Sequence, residues 1–114
     1  MKTNKYRNIK VPSDGHVFGG GSEARRYHEL KLLKRAGEIT NLEIHKKHPL
    51  YVKDIKVGDY EADFDYDCAD GTHVTEDVKS IFTAKLPLFR LKAKMFKAYY
   101  NYEITEVVRR GGSG

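Results

Sequence analysis

The sequence has a single cysteine, Cys68, among its 114 residues. One cysteine excludes an internal disulfide and a cysteine-rich zinc site. The chain also lacks any apolar run approaching the ~18 residues that a membrane-spanning helix needs, and no signal-peptide core follows its basic start. These absences predict a cytoplasmic protein that does not use a membrane as its partner.

The composition is that of a folded domain. Hydrophobic residues make up 39% of the chain and aromatic residues 11%, whereas disordered segments are poor in both. A chain of this length is expected to form one domain that buries roughly two-thirds of the surface of its unfolded state.

Charge is distributed unevenly along the chain. The 21 Lys and Arg residues exceed the 16 Asp and Glu residues, for a net charge of +5. Eight of the acids lie between residues 59 and 77, and that segment has no Lys or Arg. A basic surface attracts polyanions such as nucleic acid, and an acidic cluster opposes such binding unless a divalent metal neutralises it. The alternative is that acidic and basic segments only pair with each other across a solvated surface.

Turn and helix signals occupy the first third of the chain. Pro12–Gly15 predicts a turn that leads into a short hairpin strand at His16–Phe18. Ser22 is a suitable N-cap for a helix with Glu23 in its first turn, and Gly37 is suited to end that helix. Between them, apolar residues recur every three positions, as in an amphipathic helix: Ala24, Tyr27, Leu30 and Leu33.

The later part of the chain alternates between strand and helix patterns. Tyr60–Tyr66 is the clearest strand because apolar and acidic residues alternate along it, and the Asp70-Gly71 dipeptide favours a hairpin turn after it. The remaining predicted elements are short strands at 42–44 and 50–52, a returning strand at 74–79, a helix at about 87–101 and a last strand at 102–108. In coarse order, with the two short pieces at 42–44 and 50–52 counted together as one, they give helix, three strands, helix and strand, which is an α/β domain.

Two carboxylates and an ammonium group are expected to meet at one end of the predicted hairpin. Asp63 lies on the polar face of the first strand, and Asp77 and Lys79 share a face of the returning strand. Carboxylates are hard oxygen ligands for Mg²⁺ or Mn²⁺, which acidify bound water and stabilise charge on a phosphate. A neighbouring lysine can orient or deprotonate the attacking water. Glu23, at the start of the first helix, could complete the metal shell.

At these residues the sequence resembles the PD-(D/E)XK nuclease superfamily, whose core has the same order of elements. Over about residues 22–108 it is similar to a small family of phage endonucleases, in four stretches: Glu23–Tyr27, Arg35–Ile39, Ala62–Phe64 and Glu76–Lys79. The resemblance implies a restriction-endonuclease-like core with a central mixed sheet flanked by helices. The implied organisation is a basic N-terminal arm and short hairpin at 1–21, the nuclease domain at 22–108 and a flexible tail at 109–114.

The resemblance also implies roles for the site residues. Asp63 matches the first acid of the motif, Asp77 the second, and Lys79 the catalytic lysine. Glu23 matches the glutamate of the helix and would act with them, and the backbone carbonyl of Val78 would be a further ligand. The implied cofactor is Mg²⁺ or Mn²⁺. The sequence departs from the family pattern at three places: Ala62 where a proline often precedes the first acid, Gly19–Gly21 where Asp-Ser-Lys is expected, and His45 where relatives often have glutamine.

The implied activity is hydrolysis of DNA phosphodiester bonds. Branched DNA such as a Holliday junction is the expected substrate, with flapped or single-stranded DNA next, and a homodimer would suit paired cuts. The second helix carries bases and no acids, which favours phosphate contact. The predicted DNA-binding residues are Arg25, Arg26, Lys85, Arg90, Lys92, Lys94 and Lys97. Two other classes stay open: a nucleic-acid-binding protein without catalysis, and a phage protein that inhibits a host partner.

The other polar residues near the motif carry weaker expectations. Glu76 faces away from Asp77 and is expected behind the site or on the surface, whereas Asp65 shares the face of Asp63 and is an outside candidate for the metal site. The segment His45–His48 is expected to form a basic exposed loop. Three isolated histidines are expected to be structural or exposed: His16, His28 and His73.

Overall fold

The computed structural model describes residues 11–13, 16–18 and 20–109. The helices of this part of the chain are α1 (Gly21–Arg35) and α2 (Pro87–Tyr100). Its strands are β1 (Val11–Ser13), β2 (His16–Phe18), β3 (Ile39–Ile44), β4 (Lys47–Val52), β5 (Ile55–Glu61), β6 (Phe64–Cys68), β7 (His73–Ser80) and β8 (Thr105–Arg109). A 3₁₀ turn at Thr83–Lys85 lies between β7 and α2.

A mixed four-stranded sheet forms the centre of the fold, in the order β3–β6–β7–β8. The first three strands pair antiparallel. Strand β8 runs parallel to β7, because α2 returns the chain to the end of the sheet at which β7 begins. Two antiparallel hairpins, β1–β2 and β4–β5, are separate from it. The predicted α/β class with a mixed sheet and two helices is therefore confirmed, as is the short hairpin at β1–β2.

Both faces of the central sheet are covered. On one face α1 packs around a buried cluster that includes Phe18, Tyr27, Leu30 and Phe64. On the other face α2 and the β4–β5 hairpin share a cluster that includes Leu50, Tyr60, Phe89 and Phe96. Successive residues of a strand point to opposite faces, so β7 is buried on both sides. Phe18 belongs to the α1 cluster, which ties the β1–β2 hairpin to the domain.

The start of α1 differs from the prediction, and its end agrees with it. The helix begins at Gly21 with Gly20 as N-cap, and no side chain caps it. The prediction of Ser22 as N-cap is wrong, because the chain already enters the helix through the two preceding glycines; the Ser22 hydroxyl instead accepts a 3.3 Å hydrogen bond from Arg25. Gly37 follows the C-cap with a φ of 82°, which confirms the predicted glycine stop.

The strand predicted at Tyr60–Tyr66 is in fact two strands in two sheets. Tyr60 belongs to β5 of the β4–β5 hairpin, whereas β6 belongs to the central sheet, and the chain crosses between them at Ala62–Asp63. The apolar and acidic alternation continues through the break because both strands are partly buried, so the pattern does not reveal it. The predicted turn at Asp70-Gly71 is confirmed, with a φ of 94° at Gly71.

Neither helix of the described residues is both long and apolar enough to cross a membrane. At the C-terminal side β8 continues through Arg109, so the prediction that residue 109 belongs to a flexible tail is wrong for that residue. Residues 110–114 and most of the predicted N-terminal arm lie outside the described residues.

Candidate metal centre and active site

Asp63 lies where the ladder between β6 and β7 ends. The last paired residues of that ladder are Phe64 and Glu76, and β7 continues beyond them beside β8 alone. The backbone N–H of Val78 donates to the Asp63 carboxylate at 2.8 Å. A side chain therefore replaces the missing ladder contact and fixes Asp63 against the strand that carries the second acid of the motif.

Asp77 and Lys79 point to the same face of β7, as their spacing predicts. The Lys79 ammonium lies 3.1 Å from the Asp77 carboxylate, and the Tyr60 hydroxyl donates to the same carboxylate oxygen. The ammonium also lies 4.4 Å from the centroid of the Phe89 ring on α2, which is a cation–π contact. Asp77 is buried, whereas the Lys79 side chain is 24% exposed. Lys79 is thus the more accessible member of the pair.

The carboxyl groups of Asp63 and Asp77 lie close enough to interact electrostatically. Burial of Asp63, together with the charge and hydrogen bonding of Asp77, raises the pKa of Asp63 to about 9. The charge of Glu23 acts in the same direction, and the hydrogen bond from Val78 opposes it only in part. At neutral pH Asp63 therefore retains its proton, and a divalent cation at this point could take that proton's place.

A cluster of three possible metal ligands lies on the α1 side of Asp63. One ligand atom from each of Glu23, His45 and Asp63 lies within 4.8 Å of the other two, and Nε2 of His45 is 2.7 Å from a Glu23 carboxylate oxygen. His45 follows β3 with a φ of 57°, and its backbone N–H donates to the Asp63 carbonyl at 3.0 Å. One nitrogen and two oxygens can hold a divalent ion, and the nitrogen suits a transition metal such as Mn²⁺ better than Mg²⁺.

The structure thus gathers the predicted ligands Glu23 and Asp77 around Asp63 and adds His45 to them. The prediction that His45 lies in an exposed loop is wrong, because its ring is half-buried between Glu23 and Phe18. Two lysines follow His45 in the sequence, so the local composition predicts an exposed segment and does not indicate that its ring is partly buried. The sequence signal that could have identified His45 is its position, because the resembled nucleases often carry glutamine there.

Two cavities open beside Lys79. The first, of about 280 Å³, lies between the start of α1 and the end of β7 and is lined by Glu23, Val78 and Lys79. The second, of about 590 Å³, lies on the α2 side and is lined by Asp77, Lys79 and Lys92. Val78 therefore borders the same cavity as Glu23, which is the placement that its predicted role as a ligand requires.

Four of the predicted DNA-binding residues lie on α2. Lys92 borders the second cavity, and its ammonium donates to the backbone carbonyl of Asp59 at 3.2 Å. The other three line a separate groove of about 550 Å³ between α2 and the segment 101–106: Arg90, Lys94 and Lys97. Arg90 and Lys97 pair there with Glu106 and Glu103 at 2.9 and 2.8 Å. Phosphate can replace such exposed partners, because each pair is worth only about 0–1 kcal/mol.

Two more predicted DNA-binding residues, Arg25 on α1 and Lys85 on the 3₁₀ turn, are exposed. Arg25 lies in the first turns of α1, close in sequence to Glu23. Lys85 lies in the connection from β7 to α2, six residues after Lys79. Both positions are compatible with contact to a polyanion that reaches the site.

Arg26 has a different role from the predicted one. Its Nε and Nη2 atoms lie 2.5 and 3.1 Å from the two carboxylate oxygens of Glu76, and its Nη1 lies 3.0 Å from Glu29. The hydrogen bond with Glu76 holds the pKa of Arg26 above its usual range. Glu76 is fully buried and accepts a further hydrogen bond from the Tyr66 hydroxyl at 2.6 Å. The structure corrects the prediction for Arg26, which is held in a structural pair instead of being free for DNA. Of the two placements expected for Glu76, burial excludes the surface.

Asp65 lies outside the metal centre, in a buried hydrogen-bond network. It accepts from His48 and His73, both at 3.1 Å, and from the Thr75 hydroxyl at 2.7 Å. Burial raises the pKa of Asp65, but these hydrogen bonds outweigh burial and hold the pKa below its usual value. The prediction of Asp65 as an outside metal ligand is therefore not supported, and the prediction of His48 in an exposed loop is wrong because its side chain is buried.

The chain belongs to the DUF1064 family. The model of that family, described as a protein of unknown function, matches residues 3–111. Searches of the curated proteins and of the solved structures give no match. The family description assigns no activity, so what the site can do follows from its own residues.

Proposed function

We propose that the protein is a metal-dependent DNA endonuclease with a restriction-endonuclease-like fold of the PD-(D/E)XK type. The observation that carries the proposal is the convergence of Asp63, Asp77 and Lys79: Asp63 is bound to the backbone N–H of Val78, between Asp77 and Lys79 on β7, and the Lys79 ammonium lies 3.1 Å from Asp77. A structural ion pair needs only one carboxylate for one ammonium. The second acid is unfavourable in its charged form at this partly buried position unless a cation joins it, and without one it keeps its proton.

The topology supports the same proposal. Around the central sheet the order of elements is α1, β3, β6, β7, α2 and β8, with β4–β5 as an inserted hairpin. This is the order helix, three strands, helix and strand that the resemblance implies. Asp63 directly precedes the second of these three strands, and Asp77 lies on the third.

The residues of the site divide the chemistry among them. Glu23, His45, Asp63 and Asp77, with the carbonyl of Val78, would hold Mg²⁺ or Mn²⁺, and the ion supplies positive charge beside the scissile phosphate and acidifies water. Lys79 offers an ammonium that can donate a hydrogen bond to the attacking water or to a phosphate oxygen. Its contacts with Asp77 and Phe89 keep that ammonium directed at the site.

DNA is the proposed substrate because cationic side chains flank the site. Lys47 and Lys92 line the cavity that Asp77 and Lys79 also line, and the groove of Arg90, Lys94 and Lys97 lies along the same helix. The resemblance adds branched DNA such as a Holliday junction as the form of the substrate, with flapped or single-stranded DNA next. A homodimer would supply the two sites that paired cuts require.

A nucleic-acid-binding protein without catalysis is the second candidate. The observation that favours it is that Asp77 already has two protein partners, Tyr60 and Lys79. Its charge is therefore balanced without an ion, and the acids could serve the fold alone.

The test is the cleavage of labelled junction, flap, single-stranded and duplex DNA with Mg²⁺ or Mn²⁺, against a control with EDTA. Lys79→Ala leaves both carboxyl groups in place, so metal and DNA binding should survive while the cleavage rate falls by about 10²–10⁴-fold. Asp77→Ala should lose metal binding and cleavage together.

The matched control is Lys34→Ala, which removes an exposed lysine in the last turn of α1. It should cleave at the wild-type rate. Cleavage at that rate by Lys79→Ala would remove the catalytic assignment of the lysine. DNA binding by the wild type without cleavage of any form, with either ion, would favour the second candidate.

A further inference from the structure

The connection between β7 and α2 exposes large apolar side chains beside the candidate site. We call four residues the apolar loop: Ile81, Phe82 and Leu86 of this connection and Leu88 in the first turn of α2. They are 40%, 76%, 52% and 63% exposed. Single exposed hydrophobic residues are common, but a group of them in one segment marks an interaction surface. Phe82 is the most exposed member and follows Lys79 by three residues.

The backbone of the apolar loop is held in place by local hydrogen bonds. The Ser80 N–H donates to the Thr83 hydroxyl at 2.9 Å, and the Thr83 N–H donates to the Ser80 hydroxyl at 3.1 Å. The 3₁₀ turn then closes through the N–H groups of Lys85 and Leu86, and Pro87 starts α2. Phe82 is therefore presented to solvent by a defined scaffold.

The apolar loop borders the second cavity beside Lys79. Leu86 and Leu88 line it together with Phe89, and Lys47, Lys79 and Lys92 line it as well. Three acids also line this cavity: Asp59, Glu61 and Asp77. Two of them are already paired with a lysine, since Asp77 lies beside Lys79 and Asp59 lies 3.2 Å from Lys56. An apolar wall next to lysines fits a ligand with a flat apolar part and an anionic part, which is the chemistry of a nucleotide.

We propose that the apolar loop, with Phe82 at its tip, binds an unstacked nucleobase of the DNA substrate next to the scissile phosphate. The proposal rests on the proposed function, and it makes the loop the element that selects DNA with unpaired bases. A base on this loop would leave its phosphates within reach of Lys79 and Lys92. A second copy of the chain on the same surface would instead cover the cavity that leads to Asp77.

The physical basis of the selection is base stacking. Apolar side chains can wedge between base pairs at the cost of unstacking them, and this cost is smaller at a flap, a single strand or an interrupted duplex. Stacking on an aromatic side chain is tolerant of sequence, because every base has a π-face. The loop therefore predicts recognition of DNA structure without recognition of a particular sequence.

The experiment measures DNA affinity by fluorescence anisotropy with Ca²⁺ in place of Mg²⁺ or Mn²⁺. The three probes are an intact duplex, the same duplex with a single-stranded branch, and the branch strand alone. Phe82→Ala should weaken binding of the branched and single-stranded probes by about 5- to 150-fold, the range for loss of one stacked base, and leave intact duplex unchanged. Phe82→Tyr keeps the ring and should bind like the wild type. The control Leu32→Ala shortens a residue that is 61% exposed on α1, and it should also bind all three probes like the wild type.

The outcomes separate this inference from the proposed function. Wild-type protein that neither binds nor cleaves any DNA form would overturn both. If the wild type cleaves DNA and Phe82→Ala keeps the wild-type affinities, only the proposed role of the apolar loop is overturned. An equal loss of affinity for all three probes would also overturn that role alone. A fall in oligomeric state of Phe82→Ala in sedimentation would show that the surface joins two copies of the chain, and would also overturn it.

Discussion

Replacing Asp63 by asparagine should stabilise the metal-free protein while it removes the metal site. The two side chains have nearly the same shape, and the amide oxygen can accept the Val78 N–H that now lies 2.8 Å from the carboxylate. The amide NH₂ group can donate to Asp77 in place of the proton that Asp63 now retains. No hydrogen bond is lost in Asp63→Asn, and the group that resists ionisation is gone.

The size of the gain follows from the pKa of Asp63, which burial and the neighbouring Asp77 raise from 3.8 to about 9. Between these two values the folded protein holds a proton that the unfolded chain has released. The contribution of Asp63 to the stability of the wild type therefore falls as the pH rises from about 4 to 9, and its penalty is absent below about pH 4. At pH 7 the ceiling is about 4 kcal/mol, from ~1.4 kcal/mol for each pKa unit. Because Asp63 retains some contact with solvent, we expect a gain of about 1–3 kcal/mol.

Urea unfolding in EDTA at about pH 5, 7 and 8.5 measures the difference in free energy of unfolding. The advantage of Asp63→Asn should increase with pH. Saturating Mn²⁺ should stabilise only the wild type, by about 2.7 kcal/mol at 100 times the dissociation constant. Glu61→Gln neutralises an exposed acid nearby and should stay within about 0.5 kcal/mol of the wild type throughout. An Asp63→Asn protein no more stable than the wild type at the highest pH would refute the reasoning.

Two further predictions concern α1 and its partners. Arg26→Met leaves the carboxylate of Glu76 buried without its cation and should cost about 3–5 kcal/mol in urea unfolding, whereas Arg25→Met should cost less than about 0.5 kcal/mol; DNA affinity that falls in Arg26→Met without loss of stability would restore Arg26 to the DNA surface. His45→Gln replaces a nitrogen ligand by an amide and should lower the affinity for Mn²⁺ more than that for Mg²⁺. Equal effects on the two ions in calorimetry would show that His45 only positions Glu23.

The parts of the fold that the sequence predicts well are those in which local chemistry determines the backbone. Gly37 and Gly71 adopt positive φ angles at the predicted helix end and hairpin turn, where glycine has no side chain to clash. The alternation along β7 correctly separates Glu76 from Asp77 and Lys79. The β4–β5 hairpin was not predicted as a unit, because its turn places Lys53 at a φ of 57° and has no glycine or asparagine to mark it.

The partners of buried polar residues were harder to predict from sequence. His48 and Asp65 are distant in the chain, and nothing in the lysine-rich segment around His48 indicates that its ring is buried against a carboxylate. Similarly, His45 reaches the metal cluster only because β3 ends at Ile44 and the chain turns there with a positive φ. Such contacts depend on how three elements meet, and a pattern within one element carries no information about that.

Glu76 and Asp77 show how the fold decides which acid enters the site. The two residues are adjacent and similar in chemistry, so burial of apolar surface does not distinguish them. A shift of one residue in the register of a strand exchanges its two faces and would place Glu76 where Asp77 now meets Lys79. The two-point ion pair of Arg26 with Glu76, together with the Tyr66 hydroxyl, holds Glu76 on the α1 face. On this argument Arg26 contributes to the site without touching it, because it fixes the register that presents Asp77 on the opposite face.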